Sequence, residues 1–195
     1  RAVALSETEQ STLKAIFEGR LPREAKRNYS VSLEALGADA DAVLITQGEF
    51  MRRMQEMARL QPGMNFYGDL PEGYNVVLNT EHPLIQRLLT EEAKVVEPKL
   101  TDLRAELKEQ TSLVEAAQTV QSAKKPEEVT ATEREELDAL RSKQSEIEGK
   151  IKSELQAFGA SELLVGQLID LALLGNGLLS GEALASFIRR SHHLL

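Results

Sequence analysis

SELLVGQLIDLALLGNGLLSGEALASFIRRSHHLL, residues 161–195, is too apolar to stand in water as two lone helices. Over residues 162–174, Leu163, Leu164, Val165, Leu168, Ile169, Leu171, Leu173 and Leu174 point almost all the way round a helix. Over residues 182–194, Leu184, Phe187, Ile188, Ser191 and Leu195 keep helical spacing on one face, with Arg189 and Arg190 opposite. Gly175-Asn176-Gly177 supplies a left-handed stop for the first helix, and Ser180 can cap the second. So short a link makes them antiparallel neighbours. One such pair shields only part of the first helix. Either a second copy covers the rest about a two-fold axis, giving a four-helix bundle, or the remainder of the chain does.

The surrounding sequence has a different character. Lys and Arg number 23 against 31 Asp and Glu, a net charge of −8, which argues against a nucleic-acid surface. No cysteine is present, so disulfide and thiolate chemistry are excluded and a reducing compartment is natural. No apolar run reaches the roughly 18 residues of a membrane span, and no signal segment opens the sequence. These features predict a cytoplasmic protein without a membrane partner. The opening at Arg1 reads as the continuation of a longer chain.

Residues 8–17 predict a helix ending near Gly19 and Pro22. Tyr29, Val31 and Leu33 alternate with polar residues as in a half-buried strand, and residues 42–46 and 74–79 are two further strand candidates. Between these two lie a helix at 49–60 and a stretch at 62–73 broken by Gly63, Gly68, Pro71 and Gly73, which reads as a mobile loop. From residue 96 the spacing changes. Val96, Leu100, Leu103, Leu107, Gln110, Val114, Ala117 and Gln121 form one heptad seam; Leu137, Leu140, Gln144, Ile147, Ile151 and Leu155 form another, after a break at Lys124-Lys125-Pro126. Thr132 with Glu135 reads as a capping box opening the second, and Pro98 should start or kink the first. An antiparallel helical hairpin follows, either an inert spacer, the favoured reading, or an arm that contacts a partner.

Chemistry is hard to find. His82, His192 and His193 lack the spacing of a metal site, so no metal ligands are expected. Glu91-Glu92, Glu127-Glu128 and Glu135-Glu136 are sequence neighbours that do not face one another on a helix. Gly175, Gly177 and Gly181 follow a helix instead of a strand, which rules out a dinucleotide fingerprint. No catalytic residue is expected. The four methionines, by contrast, cluster: Met51, Met54, Met57 and Met64. Phe50, Met51, Met54, Met57 and Ala58 share an arc of about 120° opposite Arg52, Gln55, Glu56 and Arg59. Flexible, polarizable methionines suit a promiscuous binding face. A core-facing stripe has the same spacing, and both readings stay open.

In this order the parts resemble the C-terminal domain of the bacterial ninety-kilodalton heat-shock chaperones, the high-temperature protein G family. The likeness rests on the methionine-rich helix at 50–60, on the turn Leu78-Asn79-Thr80-Glu81-His82-Pro83-Leu84, and on residues 168–195 with Phe187, Arg189, Arg190 and Leu194. It covers roughly residues 5–97 and 156–195.

The resemblance implies an α+β fold: a small three-stranded sheet with helices, and a C-terminal helix pair forming a four-helix bundle with its counterpart in a homodimer. It implies a chaperone domain at 1–98 and 156–195; the coiled-coil hairpin at 99–155 departs from the family's pattern and reads as an insertion. Phe50, Met54 and Met57, with Met51 and Leu60 on the same helix, would touch non-native client proteins. Leu164, Leu168, Leu171, Leu184, Phe187, Ile188, Leu194 and Leu195 would form the dimer interface. ATP and magnesium would belong to an N-terminal domain outside this sequence, leaving this segment without cofactor or enzymatic activity of its own. The competing reading is a coiled-coil scaffold whose 99–155 hairpin binds the partner.

Overall fold

The computed structural model describes residues 4–60 and 71–194, with the side chains of Phe50, Met51, Gln55, Ala58, Arg59, His193 and Leu194 outside that description. The predicted loop lies largely outside it too, as do Met64 and Leu195. The chain forms two compact units, 1–91 with 156–195, and 92–155.

In the first unit, α1 (Glu7–Glu18) opens with a capping box in which Glu9 N donates to Ser6 Oγ and Ser6 N donates to Glu9 Oε2 at 2.8 Å. Strands β1 (Arg27–Glu34), β2 (Val43–Gln47) and β3 (Glu72–Asn79) make a mixed sheet of order β1-β3-β2. β3 runs parallel to β1 and antiparallel to β2. The register aligns Val31 with Val76 and Ile45, and Leu33 with Leu78 and Val43, so two apolar rows cross one face of the sheet. Tyr29 and Tyr74 extend that face as a stacked pair 5.8 Å apart. The other face carries Ser30, Ser32 and Asn75, with Asn75 Nδ2 donating to Ser32 Oγ at 2.8 Å. β3 is buried from Val76 to Asn79, as befits a central strand covered on both faces.

Helix α2 (Glu49–Leu60) follows β2, and α3 (Pro83–Val95) follows β3. The turn between β3 and α3 is organised by Asn79, whose side chain is fully buried. Its Oδ1 accepts from Leu36 N at 3.1 Å and Glu81 N at 3.2 Å, while Nδ2 donates to Gly37 O at 2.7 Å. His82 Nδ1 accepts from Leu84 N at 3.1 Å, capping α3 ahead of Pro83.

In the second unit, α4 (Glu97–Ser122) starts with Pro98 in its first turn, where the missing amide proton costs nothing. A 3-10 turn at Pro126–Glu128 leads to α5 (Ala131–Ser161). Every residue of both predicted seams is buried or half-buried. The helices run antiparallel: Gln121 Nε2 donates to Glu133 O at 2.5 Å, Gln110 Nε2 to Leu140 O at 2.8 Å, and Gln144 Nε2 to Thr111 Oγ1 at 3.1 Å. The capping box of α5 is Thr130 with Glu133, not Thr132 with Glu135. Glu133 N donates to Thr130 Oγ1 at 3.2 Å, and Thr130 N donates back to Glu133 Oε2 at 2.9 Å. Both spacings fit the motif; the earlier one prevails because Glu133 also pairs with Lys124 at the end of α4.

The end of α5 belongs to the first unit, where it meets α1 at two glycines. A Cβ at Gly159 would lie 1.8 Å from Ile16 O, and one at Gly19 2.2 Å from Gln156 O. Helices α6 (Leu163–Gly175) and α7 (Gly181–Leu194) complete the fold. The left-handed stop after α6 falls at Gly177, with φ of 68°.

Candidate functional site

Two surfaces hold the residues singled out in the sequence. On α2 the polar side is laced by i, i+4 ion pairs, Arg53 with Glu49 and Arg52 Nε with Glu56 Oε1 at 3.9 Å. None of the α2 side chains that the structure describes is buried. Met57 and Leu60 are 59% and 80% exposed, and Met54 is half-buried. Phe50 and Met51 share the helix, but their side chains lie outside the described residues. Among the described side chains of α2, the exposed Met57 and Leu60 are its apolar surface, with Met54 half-buried beside them.

The second surface is built by α6 and α7. Val165, Leu168, Ile169, Ala172 and Leu173 point from α6 into their own core. Leu163, Leu171 and Leu174 are exposed, as is Ile188 on α7, with Leu171 at 58% and Ile188 at 48%. Leu164, Leu184 and Phe187 are half-buried. Leu168 and Leu171 also line a cleft of about 620 Å³ along β2, with Val43, Leu44 and Ile45 on its other wall. Leu194 and Leu195 lie outside the description of side chains. Sequence reasoning left Leu163 and Leu174 out of the interface, although their i, i+8, i+11 relation with Leu171 places all three on one side of α6.

Polar contacts fix the pair. Gln167 Nε2 donates to Ser191 Oγ at 2.6 Å, Arg190 Nε donates to Gln167 Oε1 at 3.2 Å, and Arg190 pairs with Asp170. Arg190 therefore turns toward α6, a correction to the expectation that it stands opposite the apolar face. The half-buried acid it meets draws it inward. Arg189 stays outside, donating to Glu182 Oε1 at 2.6 Å. Burial pushes the Asp170 carboxyl up from its ordinary range, against the pull of Arg190 and Arg20.

One ionisable cluster lies apart, in the second unit. Glu92 is buried with Oε1 unpartnered, and Glu97 beside it accepts from Arg104 Nη2 at 2.5 Å. Burial, reinforced by the Glu97 carboxylate, pushes Glu92 up to about 7. Among the described residues no group of three His, Asp or Glu could hold a metal ion. No single described helix is long and apolar enough to cross a membrane.

The chain is similar to known proteins along nearly its whole length. It is 52% identical over 193 residues to the Chaperone protein HtpG of Porphyromonas gingivalis (strain ATCC BAA-308 / W83), a match covering 99% of this chain and 28% of that protein. It is 39% identical over 191 residues to the Chaperone protein htpG of Bacteroides fragilis (strain 638R), covering 98% of this chain and 28% of that one. With the Chaperone protein HtpG of Bacteroides thetaiotaomicron the figures are 37% over 186 residues, 95% and 27%. The chain spans under a third of the length of these curated relatives, in their C-terminal part. At this coverage the matches run through the helical hairpin as well. No family model and no solved structure matches.

Proposed function

Since the chain belongs to the HtpG chaperone family, as the C-terminal domain of a chaperone, we propose that it joins two protomers through α6 and α7 and offers α2 to non-native proteins. The observation that carries the reading is the row of exposed leucines on a helix whose other side is already in the core. Such a row is costly to leave in water and matches the isologous face a two-fold dimer needs. Leu163, Leu171 and Leu174 of α6, with Leu184, Phe187 and Ile188 of α7, form that face; Leu164 flanks it, and Leu168 supports it from the core side. Leu194 and Leu195 belong to the proposed face by their spacing in the sequence and lie outside the described side chains.

In this proposal the segment holds no cofactor and performs no chemistry. ATP turnover belongs to the part of the longer chaperone outside these residues, and the protein works in the cytoplasm. A lasting contact at this end keeps two nucleotide-binding regions at high effective concentration. On α2, Met57 and Leu60, joined by Met54, Phe50 and Met51, take up apolar segments of unfolded chains.

The client assignment is tested by Met57→Glu with Leu60→Glu. Suppression of aggregation of a chemically unfolded model protein should fall at least fivefold while the mass of the chain in solution stays the same. Undiminished suppression would remove α2 from the client surface.

One observation favours the scaffold reading: Leu113 and Val120, seven residues apart on α4, are exposed on the hairpin. Replacing residues 99–155 by a short flexible linker separates the two. A scaffold loses its partner, whereas a chaperone domain still self-associates and binds unfolded chains.

A further inference from the structure

The proposed dimer face depends on α7, and α7 has little apolar packing to hold it. Among its described side chains, none is fully buried. Contacts of that kind leave the rotation of a helix about its own axis loosely set. The groups that pin it are polar, and Asp170 sits among the exposed leucines of α6, seven residues after Leu163 and four before Leu174. Asp170 and Arg190, 19% and 23% exposed, are far better shielded from water than Arg189 and Glu182 on the outer side, at 62% and 82%. A shielded pair with further hydrogen bonds is directional in a way a surface pair is not.

A second arginine approaches α6 one turn before the same acid, from beyond α1. Arg20 Nη1 donates to Ala160 O at 2.7 Å, where α5 approaches α6. Its guanidinium then lies across Gly166: a Cβ there would stand 2.9 Å from Nε and 3.0 Å from Nη2. Gly166 and Asp170 are one turn apart on the same face of α6, and the positive charge of Arg20 acts on the Asp170 carboxylate together with that of Arg190. Arg20 thus meets α6 at Gly166, and Asp170 one turn further ties α6 to α7.

We infer that Asp170, paired with Arg190 one turn from the Arg20 guanidinium, is a positioning residue for self-association. It docks α7 on α6 at the rotation that leaves Ile188 and the α6 leucines exposed together. At Gly166 the Arg20 guanidinium occupies the space that a side chain would take. The inference rests on the proposal that α6 and α7 carry the dimer contact.

A dilution series by light scattering on the whole chain, with hydrogen exchange across α7, tests it in two variants. Asp170→Asn keeps the shape and removes the charge. Self-association should weaken at least tenfold, and α7 amides should exchange at least tenfold faster, with the circular dichroism unchanged. Gly166→Ala favours helix formation in α6 but displaces the far end of Arg20. It should therefore leave the melting temperature the same or higher while weakening self-association threefold or more. Wild-type association constants in both variants overturn the inference. A wild-type chain that stays monomeric at every concentration defeats the dimer proposal instead; α7 exchange then decides, and unchanged protection in Asp170→Asn overturns the positioning role.

Discussion

Asn79 is fully buried, yet both ends of its amide are used, so it replaces three backbone contacts that the turn after β3 would otherwise lack. Removing a buried partner leaves the groups it served unsatisfied, at about 1–3 kcal/mol each in the usual range. Asn79→Ala should therefore lower the unfolding free energy by about 3 kcal/mol, read as a fall in the urea midpoint. The sequence displayed the Asn-Thr-Glu-His-Pro turn but not this hub, because its partners Leu36 and Gly37 are far away along the chain. His82 was legible as a residue without metal-ligand spacing; its capping role depends on where α3 begins. Glu92 was read only as one of two neighbouring glutamates, and burial makes it distinct. Its folded-state value is raised to about 7 from 4.5, so between these pH values the folded chain holds a proton that the unfolded chain has released. That stabilising term is full below the unfolded value and is lost as pH rises toward the folded one. The unfolding midpoint should accordingly fall between about pH 5 and pH 8, and Glu92→Gln should flatten that part of the profile. An equal slope in the variant would assign the pH dependence to other groups.

Among the elements, those with a strong period were the most readable. The alternation of Tyr29, Val31 and Leu33 became β1, and the heptad residues became the two faces of the hairpin. Periodicity is local, and each element expresses it whatever its neighbours do. Features set by choice among equals were less readable. Two Thr-x-x-Glu spacings overlap at the start of α5, and the pairing of Glu133 with Lys124 selects the first. Thr130→Ala should cost about 1 kcal/mol of stability and Thr132→Ala much less, the typical scale for loss of a cap; equal costs in thermal melts would return the cap to Thr132. Close helix crossings were illegible. Gly19 reads as a helix stop, and Gly159 lies past the last residue of the second heptad seam. Together they let α1 and α5 touch backbone to backbone. Gly159→Ala should destabilise the first unit strongly although alanine favours helix. The check is a drop in melting temperature of more than about 4 °C, beyond the roughly 2–4 °C that about 1 kcal/mol produces in a chain of this size.

For the whole molecule, the composition change near residue 96 announces that one part of the chain is organised differently from the rest. The structure separates 92–155 from the remainder as a compact unit. Relatives of this family match across the hairpin too, so it is a shared part of their C-terminal region. What no single-chain pattern could supply is which apolar residues of α6 face the core and which face outward. An all-round apolar helix has no preferred side until its neighbours are placed. The structure turns Val165, Ile169 and Leu173 inward and leaves Leu163, Leu171 and Leu174 outside. The central claim, that this outward face joins two copies, is tested most directly by the solution mass of the chain at micromolar concentration, wild type against Phe187→Glu with Ile188→Glu. The account predicts twice the chain mass of 21.6 kDa for the wild type and a single chain mass for the variant, with helicity preserved. A single chain mass for both, or a variant that keeps the doubled mass, would contradict it.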